Sequence, residues 1–232
     1  MRAFGVCLFA LLLWTAGAAR AADAPSTTAT GIALDAPWKT TIYAFARKNF
    51  HHPAWGWQHS ERDYHLAMDF AAAEHMTVDS DVVFAAAMMH DMAAFAPWET
   101  PDVKSGKVEH GDVAAVDCVA ILRDAGFPMA KIAAVQAAES GHMFYSKASG
   151  PEAIVLHDAD SVDFLGEIGI ARILATVGED KPSMNGALAT LRKFVKDIPP
   201  ALITNAAKTA AAPRVLEMNT FLERLQAESA VQ

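Results

Sequence analysis

The sequence predicts an all-α fold, built as a single compact helical bundle. From Leu34 onward apolar residues recur at helical spacing through nearly every segment. No stretch sustains the period-two alternation of a half-buried strand, and Gly, Pro and capping residues stand where the segments begin and end. At 232 residues and 53% hydrophobic, the chain is long enough to bury one domain, and its composition is neither disordered nor fibrous.

Residues 1–21 read as a secretory signal peptide. Arg2 supplies the positive start, CLFALLLW a short apolar core, and AGAARA the small residues before a cut after Ala21. That core is too short to span a bilayer, and no later run reaches the roughly 20 apolar residues of a membrane helix. The expected location is therefore periplasmic or secreted, without membrane insertion after cleavage. Cleavage removes two of the 19 basic residues, Arg2 and Arg20, and none of the 27 acidic ones, so the mature chain is more acidic than the net −8 of the whole. A nucleic acid polymer is thereby set aside as a partner, and a small-molecule substrate is expected. Cys118 is then the one cysteine left, in an apolar helical pattern, so no intramolecular disulfide forms and the thiol reads as core.

ADAPSTTATG opens a small, polar stretch over 22–33 that reads as a flexible leader into a domain covering 34–232. PWKTTIYAFARKNF begins a helix at Pro37. HSERDYHLAMDFAAAEH and SDVVFAAAMMHDMAAF follow, the second with Asp79 and Ser80 as caps. The connection APWETPDVKSGKV, residues 96–108, is long enough to act as a lid or binding loop. GDVAAVDCVAILRDA ends at Gly126 and Pro128. MAKIAAVQAAESGH comes next, and PEAIVLHDADSVDFLGEIGIARILATV reads as one further helical run. Residues 185–232 form two helical segments separated at Pro199-Pro200, with no chemical motif.

The chemistry sits inside these helices. His90 and Asp91 interrupt the apolar run FAAAMMHDMAAF. The pair alone specifies little, and its company gives it weight. Upstream, HSERDYHLA sets His59 and Arg62 three apart on one helical face. Downstream, LHDADSVDFLG places Asp158, Asp160 and Asp163 in an otherwise apolar helix, where buried carboxylates need cationic or metal partners. Two histidines and two aspartates suit a divalent Mn, Fe, Ni or Zn ion better than Ca, and the lack of further cysteines argues against a closed structural zinc site.

In order and spacing, His59, His90-Asp91 and DADSVDFLG resemble the HD-domain superfamily of metal-dependent phosphohydrolases, from about Trp55 to Gly178. The resemblance implies an all-α bundle with a motif-bearing core over 55–178. It places metal ligands on His59, His90, Asp91 and Asp160, for one or two ions, with Asp158 as a supporting or alternative ligand. Asp163 lies close enough around the helix to support Asp160. Where some HD nucleotidases carry a proton-transferring acid three residues after the paired Asp, this chain has Ala94. Acid and base roles then fall to His110 and His142, whose positions are similar to those of extra histidines serving a second metal or the phosphate. Arg62 is expected either to contact phosphate or to hold a buried acid. His51, His52, His65, His75 and His157 are read as structural or exposed, and Trp55 and Trp57 as packing aromatics. The implied activity is hydrolysis of a small phosphorylated molecule, nucleotides included, by metal-activated water. The same motifs resemble cyanamide-hydratase-like proteins, which hydrate a nitrile, and a metal-binding or sensing module without turnover is the remaining alternative.

Overall fold

The computed structural model describes residues 26–178, 180 and 183–229. The expected signal peptide lies outside the described residues. The described residues form ten α-helices: α1 (Pro37–Asn49), α2 (Trp57–Ala73), α3 (Ser80–Met89), α4 (Pro101–Lys104), α5 (His110–Ala125), α6 (Ile132–Ser140), α7 (Pro151–Asp163), α8 (Gly166–Leu174), α9 (Met184–Ala201) and α10 (Asn205–Ser229). Among the described residues there is no strand; Thr27 and Ala33 form an isolated bridge.

The helix α3 organises the bundle because its sequence is apolar all round. Every residue from Val82 to Met89 is buried. Phe84, Met88 and Met89 join a core with Ile42 of α1, Leu122 of α5 and Val135 of α6. Val83 joins a second core with Phe70 of α2, Val155 of α7, Leu191 of α9 and Met218 of α10. Truncating a side chain as buried as Phe84 would cost about 3–5 kcal/mol. The start of α3 is fixed electrostatically: Asp79 caps the Asp81 amide at 3.0 Å, and Lys131 bridges both carboxylates at 2.8 Å.

Five details depart from the sequence reading. The helix α3 stops at Met89, so His90 caps its end and Asp91 opens the 3-10 turn Met92–Ala94. The long run after Pro151 breaks at Phe164–Leu165 into α7 and α8. There Gly166 takes φ +75°, and a Cβ on Gly169 would lie 2.1 Å from the Phe164 carbonyl oxygen, so two glycines let α8 fold back on α7. Pro199 and Pro200 do not separate the last helices. They sit in the final turn of α9, and the chain breaks after Ala201. The part of the leader that is described, from Ser26, is packed rather than free. Ala29 donates to the Tyr43 hydroxyl and Thr30 to Glu61 Oε2, while Ile32 and Leu34 are buried. The 96–108 connection carries the short α4, and Trp98 anchors it against Phe45 and Phe50 of the α1 region.

Candidate metal centre

Helical spacing and one helix end bring the polar residues together. On α2, His59 and Asp63 are one turn apart, with His59 Nε2 3.0 Å from Asp63 Oδ2. On α7, Asp160 and Asp163 share the face toward α2, placing Asp160 Oδ1 3.0 Å from His59 Nε2 and Asp163 Oδ2 2.7 Å from His59 Nδ1. His90 arrives from the end of α3. Because the helix has ended, Asp91 turns back beside it, with Oδ2 3.3 Å from His90 Nε2 and 3.7 Å from His59 Nε2. The other Asp91 oxygen faces the opposite way, 3.1 Å from His110 Nε2 at the start of α5 and 3.7 Å from His142 Nε2 after α6.

Two overlapping ligand sets result. One is His59, Asp63, His90 and Asp160, all buried; the other is His90, Asp91 and His142. Within each set the ligating atoms lie within 4.8 Å of one another. His59 Nε2, His90 Nε2 and both Asp63 oxygens are buried with no hydrogen-bond partner. Such atoms are costly to leave unpaired, and a divalent cation would satisfy them together. The donor set of imidazole and carboxylate suits Mn, Fe, Ni or Zn.

The far side of each ring supports this reading. His59 Nδ1 meets Asp163, His90 Nδ1 meets the Ala87 carbonyl at 2.9 Å, and His142 Nδ1 meets the Glu139 carbonyl at 2.5 Å. Each acceptor calls for a hydrogen on Nδ1, which leaves Nε2 as the ligating atom. Asp163 is in turn held by Arg62 Nε and Nη2 at 2.8 and 2.9 Å and by Arg172 Nη1 at 2.6 Å. The α7–α8 fold-back supplies that second guanidinium. Burial raises the Asp163 carboxyl, but His59, Arg172 and Arg62 outweigh it and hold it well below the usual range.

Without a cation the cluster holds protons. Burial together with Asp163 and Asp160 pushes Asp63 up to about 7, against the pull of His59. Burial opposes charge on His90, yet Asp91, Asp63 and Asp160 prevail and raise it to about 10. The same contest raises His110, chiefly through Asp91. His142 falls to about 3, because burial and the neighbouring His90 and His110 outweigh Asp160 and Asp91.

Of the residues expected at the site, His59, His90, Asp91, Asp160, His110 and His142 converge. Arg62 is turned onto Asp163, so its position is that of a counter-ion to a buried acid. Asp158 points elsewhere: its carboxylate accepts from the Ile203 and Thr204 amides at 2.9 and 2.7 Å and from the Thr204 hydroxyl at 2.7 Å. Asp163 supports His59 rather than Asp160. His157 pairs with Asp158, His52 with Asp180, and His65 with Thr30. Trp57 packs on Tyr43, whereas Trp55 lines a pocket of 230 Å³ whose floor is Asp91, Asp160 and His110. No residue of 96–108 lines that pocket. Two members were missed in the sequence. Asp63 could have been found as the residue one turn after His59. Glu139 carries no motif; its buried carboxyl, near Cys118, is pushed up to about 8 by burial.

An all-α bundle that gathers buried histidines and aspartates from four helices and the turns beside them defines a metal-binding helical domain. Residues 56–165 match the family model of the HD domain, and this part of the chain is an HD domain. Solved structures share the fold. A Lactobacillus plantarum protein is 23% identical with a TM-score of 0.66, covering 84% of this chain and 98% of its own. Bacillus subtilis YpgQ in complex with ADP is 20% identical with a TM-score of 0.60, covering 82% and 97%. An HD-superfamily hydrolase from Bacillus thuringiensis is 22% identical with a TM-score of 0.58, covering 84% and 96%. None of the curated proteins matches the chain in sequence.

Proposed function

We propose that this chain is a metal-dependent hydrolase acting on a small phosphorylated molecule. The observation that carries the reading is Asp91, whose two oxygens face two ligand sets and so suit a pair of cations, the arrangement by which many phosphatases and nucleases meet attacking and leaving oxygens. His59, Asp63, His90 and Asp160 would hold one ion, and Asp91 with His142 and His110 a second. A divalent ion held there would lower the pKa of water and offer positive charge to phosphoryl oxygens.

The chain's own residues do the rest. Asp163, fixed by Arg62 and Arg172, keeps the His59 ring in place. With a single ion bound, His110 is free to act as the acid: it lines the pocket, with Nε2 3.1 Å from Asp91 Oδ1, within reach of a departing oxygen. The HD domain supports a hydrolase, and the ADP bound by YpgQ shows that a protein of this fold takes a phosphorylated ligand. Export with cleavage after Ala21 belongs to the same proposal.

Phosphate release from sugar phosphates, nucleotides and simple monoesters by metal-reconstituted protein is the test. Tight metal binding without any release would sink the reading. Hydration of a nitrile is the second reading, favoured by one observation: among the described residues, no Lys or Arg lines the pocket. Urea formed from cyanamide would establish it.

A further inference from the structure

We propose that the pocket over the metal centre selects phosphomonoesters of small apolar alcohols or phenols, and that Thr190 and Phe194 of α9 set this selectivity. The inference rests on the phosphohydrolase reading and narrows it to a substrate class. In the reaction, water oxygen bonds to phosphorus as the bond from phosphorus to the alcohol oxygen breaks. The proton given up by water ends on that oxygen, and the products are inorganic phosphate and the free alcohol.

Size is the first argument. The pocket encloses 230 Å³, below the roughly 300–1,000 Å³ of sites that enclose drug-sized ligands. With a phosphoryl group on the floor at Asp91, Asp160 and His110, the remaining space fits a ring or a short chain, while a base with its ribose would extend through the mouth into solvent.

Chemistry is the second. Above the floor the walls are Trp55, Met143, Phe164, Ile173, Thr190 and Phe194. Thr190 donates its hydroxyl hydrogen to the Gly186 carbonyl of its own helix, at 3.2 Å, so it has no spare donor. A polyphosphate needs a cation for each added charge. Among the described residues the pocket offers no cationic side chain apart from His110, itself beside the metal centre. The neighbouring guanidiniums are committed, Arg62 to Asp163 and Arg172 to Asp163 and the face of Phe164 at 4.1 Å.

The walls are also braced, as a selective pocket requires. Phe164 has Arg172 on one side and meets Phe194 at 4.9 Å, Phe194 meets Phe144 at 6.2 Å, and Trp55 stacks on His52 at 3.7 Å. Thr190 and Phe194, one turn apart, share a face of α9. Both stand outside residues 56–165, as do Trp55 and Ile173. The HD unit thus supplies the ligands, and elements beyond it supply most of the wall that reads the organic group.

The test uses metal-reconstituted full chain with phenyl, butyl and methyl phosphate beside AMP and ADP. Phenyl and butyl phosphate should exceed AMP in kcat/KM by roughly tenfold or more, the worth of one or two buried methylenes. Thr190→Phe, which fills the pocket, should lower phenyl phosphate turnover by about the same factor and methyl phosphate turnover by less, so that the ratio of the two falls. Phe194→Ala, which widens it, should shift preference toward naphthyl phosphate. A readout independent of turnover is saturation-transfer NMR of phenol with metal-free protein: contacts in wild type, lost in Thr190→Phe. AMP turned over as well as phenyl phosphate, or phenol binding untouched by Thr190→Phe, would overturn this proposal alone. Phosphate released from none of the esters would overturn the phosphohydrolase reading and this one with it.

Discussion

Replacing Asp158 by alanine should loosen the join between α9 and α10 while leaving the metal centre loaded. The carboxylate accepts three hydrogen bonds at that join, from the Ile203 amide, the Thr204 amide and the Thr204 hydroxyl. Ile203 is 42% exposed, so water can replace its partner, but Thr204 is buried and its amide is left unpaired. Losing bonds to a charged group, orphaning the buried Thr204 amide and leaving the buried His157 ring without its carboxylate costs about 3–4 kcal/mol, and for a domain of this size each kcal/mol moves Tm by about 2–4 °C. The melting temperature should therefore fall by about 10 °C, with Asp158→Asn, which keeps one acceptor oxygen, falling about half as far. The pH dependence has a defined sign. Burial opposes the charge on Asp158, but His157 and the Ile203 and Thr204 donors lower its pKa below the ordinary carboxylate value. The stabilisation is thus complete above the unfolded pKa and lost as pH falls through the lowered folded value, so the gap between wild type and variant should close in acid. Thermal melts with elemental analysis decide the matter. Metal lost from Asp158→Ala with an unchanged Tm would refute the reasoning and return this residue to the ligand set.

Other residues give sharper tests of the centre. Asp63→Asn should weaken metal binding at least as much as the 10–100-fold typical of outer-shell changes, because both Asp63 oxygens are buried without hydrogen bonds; affinity within twofold of wild type would remove Asp63 from the ligands. Asp163→Asn should weaken binding by about 10–100-fold through the freed His59 ring, whereas an unchanged affinity would make it a packing residue only. Metal uptake near neutrality should release protons, since Asp63 sits at about 7 and His90 at about 10 in the metal-free protein. Affinity should then rise with pH, and calorimetry in buffers of different ionisation heat would expose a pH-independent constant if the account is wrong. For export, N-terminal sequencing of the extracytoplasmic protein should begin at Ala22, and a full-length cytoplasmic product would contradict it.

Helical periodicity was enough to place nearly every element, because each helix buries a stripe or, in α3, its whole surface. The HD pair, His59 and Asp160 were legible through the resemblance to the HD-domain superfamily, whose motifs they match in order and spacing. What escaped depended on where helices stop. The apolar run continues past Met89, so nothing in it reveals that the helix ends there and lets Asp91 face two ligand sets. HSERD offers three charged residues in a row, and periodicity alone does not say that Glu61 and Asp63 are both fully buried. Arg172 reaches Asp163 only because two glycines fold α8 back, a tertiary consequence of a short local break. The pocket wall on α9 was invisible for a different reason: Thr190 and Phe194 are ordinary residues that gain meaning from what they face.

Divalent metal content of the wild-type chain beside His90→Ala, by elemental analysis after reconstitution, tests the central claim most directly. His90 Nε2 belongs to both ligand sets and is buried without a hydrogen-bond partner. Wild type should retain one or two ions per chain, and His90→Ala should retain none at stoichiometric level with its helical content intact. Wild-type occupancy in the variant would contradict the account.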